Sequence, residues 1–314
     1  MKEVEGRVAF ITGGASGMGL GMAKAFARHG MKVVIADVRP AALEEAMGHF
    51  RRTGEPVHPV SLDVTDRAAY ARAADEAERK FGRIHVLINN AGVGPAGPMQ
   101  SATFEDWDFC LGVNVGGVVN GLVTVLPRIL AHGEDGHVVS TSSTGGFSAV
   151  GGAGLYCTSK FAVAGMMESL ASDLKGTRVG ASVFFPGPVT TNLAQSTQAV
   201  RPEHLKSTHA PPPRPRPPPA GSGAPLNFAE IFMDPLEVGE RVLNGIRRGD
   251  LFIMTHPEFR AGLVARSDAL VRALPEEPIN VRRREALKVF GTLLYNPIYD
   301  SQHPVRPPEG FPAR

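Results

Sequence analysis

Tyr156 and Lys160 stand four residues apart in a stretch, 156–175, whose pattern predicts a helix. Positions i and i+4 share a helix face, so the two side chains point the same way. An ammonium beside a phenol favours the phenolate and lowers its pKa from the ordinary value of about 10. Such a tyrosine exchanges a proton with an alcohol or carbonyl oxygen. The run Ser140-Thr141-Ser142-Ser143 closes a predicted strand shortly before it. A serine hydroxyl there can hold the same oxygen as charge develops on it. A solvent-facing Tyr/Lys pair has the same spacing, so the pair alone does not decide the matter.

A second constellation lies near the start of the chain. Thr12-Gly13-Gly14-Ala15-Ser16-Gly17-Met18-Gly19 follows an apolar run and precedes a helical pattern. Glycines there let the backbone turn sharply and approach a pyrophosphate. The helix N-terminus adds free N–H groups and a positive dipole. Asp37 ends the next predicted strand, 24 positions after Gly13. Its carboxylate can accept hydrogen bonds from a ribose 2′-OH and repels a 2′-phosphate. With Ser16 rather than a basic residue in the turn, this favours NAD over NADP. Arg39 nearby opposes that preference in part.

Both constellations need a scaffold that brings strand ends together. Apolar runs at 7–12, 32–37, 57–62, 84–89, 137–141 and 179–185 read as strands, with helical patterns at 19–29, 41–52, 67–81 and 156–175 between them. Strands apolar throughout suit a parallel sheet covered on both faces. The repeated β-α alternation predicts a Rossmann-type, doubly wound α/β sheet with ligands beyond the carboxyl ends of its strands. A helix at 236–247 and a seventh strand at 251–255 complete it. The expected organisation is one domain, 1–256, with an insertion at 192–234 and a C-terminal extension at 257–314 carrying two short helices.

Composition narrows the function. The 314 residues are 43% hydrophobic and 20% charged, with a net charge of +2, which gives no reason to expect a nucleic-acid or membrane-surface protein. Arg282-Arg283-Arg284 reads as a solvated helix face. Cys110 and Cys157 are the only cysteines, so no disulfide framework is expected. A reducing, cytoplasmic setting fits, as does the lack of a basic and apolar leader. The uncharged run 109–127 contains two asparagines and four glycines and reads as a buried helix rather than a membrane span. The ten histidines show no metal-binding spacing, so no metal is expected. Eight of the 26 prolines fall within 211–225, a polyproline-like insertion that cannot form a helix or a central strand.

The motifs together resemble the short-chain dehydrogenase/reductase family over roughly residues 5–193. TGGASGMG matches the family's TGxxxGxG at Gly13, Gly17 and Gly19, with Ser16 and Met18 inside the same turn. Asp63-Val64 matches the pair set against the adenine. Asn89-Asn90-Ala91-Gly92 matches the NNAG turn beside the cofactor. Asn114 matches a helix asparagine that holds a water in a proton relay. Ser143, Tyr156 and Lys160 match the catalytic trio. The thirteen-residue spacing that the family keeps selects Ser143, with Ser142 as the fallback. Pro186-Gly187-Pro188-Val189-Thr190-Thr191 matches PGxVxT, in which Val189 and Thr191 meet the nicotinamide. The resemblance implies hydride transfer between a nicotinamide and a carbinol carbon, with Lys160 binding the nicotinamide ribose and depressing the Tyr156 pKa. It also implies a homodimer or homotetramer.

The segments expected to frame the substrate are 93–100, 144–155 and the stretch after Thr191. They are small and apolar, with Met99, Phe147, Val150, Leu155 and Leu193 as the bulkier members. The expected substrate is a neutral, hydrophobic, bulky or aromatic secondary alcohol or its ketone. Wording outside the motifs is similar to bacterial Cα-dehydrogenases and to alcohol dehydrogenases for bulky ketones. The alternatives are a reductase of a polar carbonyl, such as a sugar or acyl-carrier substrate, and a binding protein that kept the fold without the chemistry. The insertion reads either as a lid over the substrate or as a tolerated loop.

Overall fold

The computed structural model describes residues 1–206 and 231–311. Seven parallel strands form one sheet in the order β3-β2-β1-β4-β5-β6-β7. They are β1 Val8–Thr12, β2 Lys32–Asp37, β3 Val57–Ser61, β4 Val86–Asn89, β5 Gly136–Thr141, β6 Val179–Phe185 and β7 Phe252–Met254. The strand order reverses between β1 and β4, which opens a crevice at their carboxyl ends.

Helices cover both faces. On one, α1 (Gly17–Arg28), α2 (Pro40–Thr53) and the helix Pro235–Arg248 bury Met22, Phe26, Leu43, Phe50, Val242 and Ile246. On the other, α3 (Arg67–Phe81), α5 (Gly117–Ala131) and α6 (Gly154–Asp173) bury Tyr70, Val118, Val125, Val163 and Met167. With apolar partners on both sides, β1 and β4 are buried at every residue, which is why they read as continuous apolar runs.

The edges are closed in different ways. Edge strand β3 carries Pro59, which cannot donate to a further strand. At β7, the Gln302 side chain takes a strand's place: it accepts from Phe252 N at 2.8 Å and donates to Phe252 O at 3.2 Å. The ring of Tyr299 stacks on Phe252, and its hydroxyl donates to Glu168 at 2.6 Å. The C-terminal extension therefore begins as two exposed helices, Arg260–Arg272 and Val281–Leu287, and returns to cover the sheet edge.

The uncharged run 109–127 lies within one continuous, partly buried helical stretch, Phe104–Ala131. It spans the end of α4 (Phe104–Leu111), a π-helical turn at Gly112–Gly116, and most of α5. The stretch Phe104–Ala131 is long and apolar enough to cross a membrane by length and composition, yet α5 packs on α3 and β4. Its outer face is open, with Val123 71% exposed. An apolar helix of the outer layer has only one face to give to the sheet. The proline-rich run 211–225 lies outside the described residues.

Candidate active site

The glycine turn is built for close backbone approach. Gly13 has φ +62°, in the left-handed region that favours glycine. A Cβ on Gly19 would lie 2.0 Å from Gly13 O, so no side chain fits at the start of α1. The turn is held from the β4 side. Asn90 and Ala91 N–H donate to Thr12 Oγ1 at 3.0 and 3.1 Å, and Asn90 Nδ2 donates to Thr12 O at 3.1 Å. Asn89 ties the same region to β5 by donating to Ser140 Oγ at 3.2 Å. Thr12 is a supporting residue that the glycine spacing alone does not reveal. Its hydroxyl joins two turns 78 residues apart in sequence.

Asp37 is buried at the end of β2, where Ala15 N–H points to its Oδ2 at 3.4 Å. Arg39 folds back onto it, donating from Nε to Oδ1 and from one terminal nitrogen to Oδ2, both at 3.0 Å. That nitrogen also donates to Ser16 Oγ at 2.8 Å. The basic residue that the sequence set against Asp37 is thus its direct partner. A cavity of about 360 Å³ opens here, walled by Gly13, Asp37, Asp63, Val64, Ala91 and Gly92. The glycine cradle and the acidic strand end fit the phosphates and the adenosine ribose of a dinucleotide. On the nicotinamide side, Gly187 N–H donates to Thr255 Oγ1 at 2.9 Å. Pro188 O and Thr190 N–H pair with Met233 at 3.0 and 3.1 Å. Val189 is buried, and Thr191 lies beside Gly17.

Ser143, Tyr156 and Lys160 come together beyond β5. Ser142 and Ser143 have opposite roles. Ser142 is fully buried and donates to Lys160 O at 2.8 Å, whereas the Ser143 hydroxyl stands against the Tyr156 phenol. Ser143 is therefore the serine whose hydroxyl faces the phenol. Lys160 Nζ donates to Thr141 O at 2.9 Å and lies 5.5 Å from the centre of the Tyr156 ring. Burial pushes Lys160 down to about 8.

Burial raises the Tyr156 pKa above its ordinary value, and the Ser143 hydroxyl opposes this only in part. A lysine anchored on Thr141 does not by itself make the phenolate.

Asn114 sits in the π-helical turn, where such turns often mark functional sites. Its side chain bonds to three partners. Oδ1 accepts from Val93 N at 2.8 Å, and Nδ2 donates to Val93 O and to Ser159 Oγ, both at 2.9 Å. Ser159 in turn donates to Tyr156 O at 2.7 Å. The amide also braces the turn after β4 against α6.

The expected substrate residues divide. Phe147 and Leu155 are buried, and the Phe147 ring packs edge-on against Phe185 and Phe259. They pack in the interior of the wall rather than on its open face. Met99, Val150 and Leu193 stay exposed; Met99 borders Gly154, and Leu193 borders Gly94. Cys157 is buried in packing, as expected, and so is Cys110. Phe109 is also interior. Among the described residues no cluster of metal ligands occurs.

The segment after Thr191, for which a lid and a tolerated loop are both open readings, has Leu193, the first residue of its helix, beside Gly94. α7 (Leu193–Ala199) and the residues to Leu205 lie over the cavity beside Asp37 and Val64, at the nucleotide end.

Comparison with known proteins agrees with this architecture. The short chain dehydrogenase family pattern matches residues 7–201. A C alpha-dehydrogenase of Sphingobium sp. strain SYK-6 is 37% identical over 308 residues, covering 93% of this chain and 95% of that protein. The apo structure of LigO from the same organism superposes with a TM-score of 0.75 at 38% identity, over 94% of this chain and all of that one. A short-chain dehydrogenase/reductase from Burkholderia phymatum, in complex with NAD, gives a TM-score of 0.77 at 31% identity, over 90% of this chain and 100% of that one. On the family match over residues 7–201 and the relative 37% identical over 93% of this chain, the chain belongs to the short-chain dehydrogenase/reductase family of oxidoreductases.

Proposed function

We propose that this protein is an NAD-dependent dehydrogenase that interconverts a hydrophobic, bulky or aromatic secondary alcohol and its ketone. The observation that carries the reading is the convergence of Ser143, Tyr156 and Lys160 beyond β5, beside a glycine turn shaped for a dinucleotide. Bound oxidised nicotinamide supplies a hydride acceptor and a positive charge. Gly13, Ser16, Gly17, Met18 and Gly19 bind its phosphates. Asp37 binds the adenosine ribose, Asp63 and Val64 face the adenine, and Asn90, Ala91 and Gly92 line the middle of the cleft. Pro186, Gly187, Val189 and Thr191 hold the carboxamide end.

In the oxidative direction, Ser143 holds the substrate oxygen and Tyr156 takes its hydroxyl proton as the carbinol C–H bond delivers hydride to the nicotinamide. Lys160 holds the nicotinamide ribose and supports the phenolate. Asn114 acts as a brace that fixes Val93 and, through Ser159, the backbone of Tyr156.

The aromatic substrate class is supported by the Cα-dehydrogenase relative and by the apolar rim of Met99, Val150 and Leu193. Self-association is part of the same proposal, through the open α5 face carrying Val119 and Val123.

The test is reduced-nicotinamide absorbance with a panel of bulky aryl secondary alcohols, giving NAD and NADP in parallel. Turnover with NAD that favours aryl over small aliphatic alcohols supports the reading. Turnover confined to polar substrates overturns the substrate class, and turnover confined to NADP overturns the role given to Asp37.

A further inference from the structure

Three contacts hold the segment after Thr191 across the cleft. Ser16 Oγ donates to Asn192 Oδ1 at 3.3 Å, beside the phosphate turn. Gly94 N–H donates to Thr197 Oγ1 at 2.9 Å, beyond β4. Arg201 makes the third contact, and it is the most elaborate. One terminal nitrogen donates to Asp106 Oδ1 at 2.7 Å, Nε donates to Leu205 O at 2.5 Å, and the guanidinium lies over the Phe109 ring, 5.1 Å from its centre. The two charged side chains are only 17% and 15% exposed. Asp106 is itself fixed on α4, where its other oxygen accepts from Thr103 N and Oγ1 at 3.0 and 3.2 Å.

The position of this contact decides its meaning. Ser196, Val200, Pro202, His204 and Leu205 form one wall of the cavity whose other wall is Asp37, Asp63 and Val64. None of Ser143, Tyr156 and Lys160 lines it. We propose that Arg201 latches residues 193–205 as a roof over the adenosine end of the cofactor cleft, so that this segment governs how long the nucleotide stays.

The inference rests on the dinucleotide reading given above. The latch needs a planar fork on an aromatic face: the guanidinium serves Asp106, the Leu205 carbonyl and Phe109 at once. A lysine ammonium is a point charge on a flexible stem and cannot serve all three. Release of the latch opens the cavity at its adenosine side and leaves the catalytic trio undisturbed.

The experiment uses the full chain and reads binding rather than turnover. NADH dissociation is followed by stopped-flow fluorescence, and ADP-ribose and nicotinamide mononucleotide are titrated separately as competitors. Arg201→Met keeps the apolar stem and is expected to speed NADH release by roughly tenfold. It is expected to weaken ADP-ribose by a similar factor and to leave nicotinamide mononucleotide unchanged. Arg201→Lys, which keeps the charge, is expected to fall between Met and wild type, and it carries the test if the Met variant does not fold. Unchanged NADH release and ADP-ribose affinity in a folded variant overturn the latch. So does a loss confined to nicotinamide mononucleotide, which would put the roof at the substrate end. Wild-type protein that binds no NADH overturns the dinucleotide reading itself, a result distinct from the other two.

Discussion

The ammonium of Lys160 lies 5.5 Å from the centre of the Tyr156 ring, and it is held there by the carbonyl of Thr141 rather than by the phenol. Burial raises the pKa of the phenol and pushes Lys160 down to about 8. Positive charge brought near the ring, as by a bound oxidised nicotinamide, acts in the direction that favours the phenolate.

A proton balance follows from this. Oxidised nicotinamide brings a positive charge and the reduced form does not. NAD⁺ binding near neutral pH is expected to release a fraction of a proton, measured by calorimetry in buffers of different ionisation enthalpy. NADH binding should release less, and the part of the release that Tyr156→Phe removes belongs to the phenol, the remainder to Lys160. Equal release with both cofactor forms would show that some other group titrates.

The Arg39–Asp37 pair makes a prediction about cofactor choice. Asp37→Ala removes the carboxylate and frees the guanidinium for a 2′-phosphate. The ratio of kcat/KM for NAD over NADP should fall by roughly tenfold or more, the scale of one lost charged contact. Arg39→Ala leaves the carboxylate unpaired, and the same ratio should rise. An unchanged ratio in Asp37→Ala would refute the ribose assignment.

Asn114 gives a prediction on stability as well as rate. Its amide satisfies Val93 N–H and C=O in the interior. Asn114→Ala should cost about 1–3 kcal/mol for each buried group left unpaired, read as a loss of denaturation free energy. A side chain that only held a water would cost activity with little change in stability.

His137 sets a pH limit on the fold. Its ring is buried, with Nε2 2.7 Å from Ser182 Oγ and Nδ1 without a partner among the described residues. Burial pushes its pKa down to about 3 from 6.5. Between those values the unfolded chain binds the proton and the native chain does not, so acidification favours unfolding. Stability should fall by up to ~1.4 kcal/mol per pH unit from this group as pH drops below 6.5. His137→Gln should show a shallower decline between pH 6.5 and 5 in chemical denaturation. Parallel curves would remove His137 from the account.

Much of this was legible in the sequence because the signals were local. The glycine turn, the NNAG turn and the i,i+4 spacing of Tyr156 and Lys160 each lie within one strand-to-helix connection or one helix turn, where residue type dictates geometry. The strands of a parallel sheet are apolar on both sides, so their positions were also visible. What is not legible in the sequence depends on distant partners. The anchoring of Lys160 on Thr141, the use of the Asn114 amide by Val93, and the path of Arg201 to α4 join residues 19 to 95 positions apart. Phe147 looked like a pocket residue because its segment frames the site, but the direction of a side chain in an irregular segment is set by packing against Phe185 and Phe259.

The central claim is that Tyr156 takes a proton while hydride leaves the carbinol carbon. Its most direct test is an aryl secondary alcohol carrying deuterium on that carbon, incubated with NAD⁺ and either wild-type protein or Tyr156→Phe. The account predicts deuterium in the reduced nicotinamide with wild type, and loss of transfer by at least about two orders of magnitude in the variant. Oxidation that leaves no deuterium in the nicotinamide, or transfer undiminished in Tyr156→Phe, would contradict it.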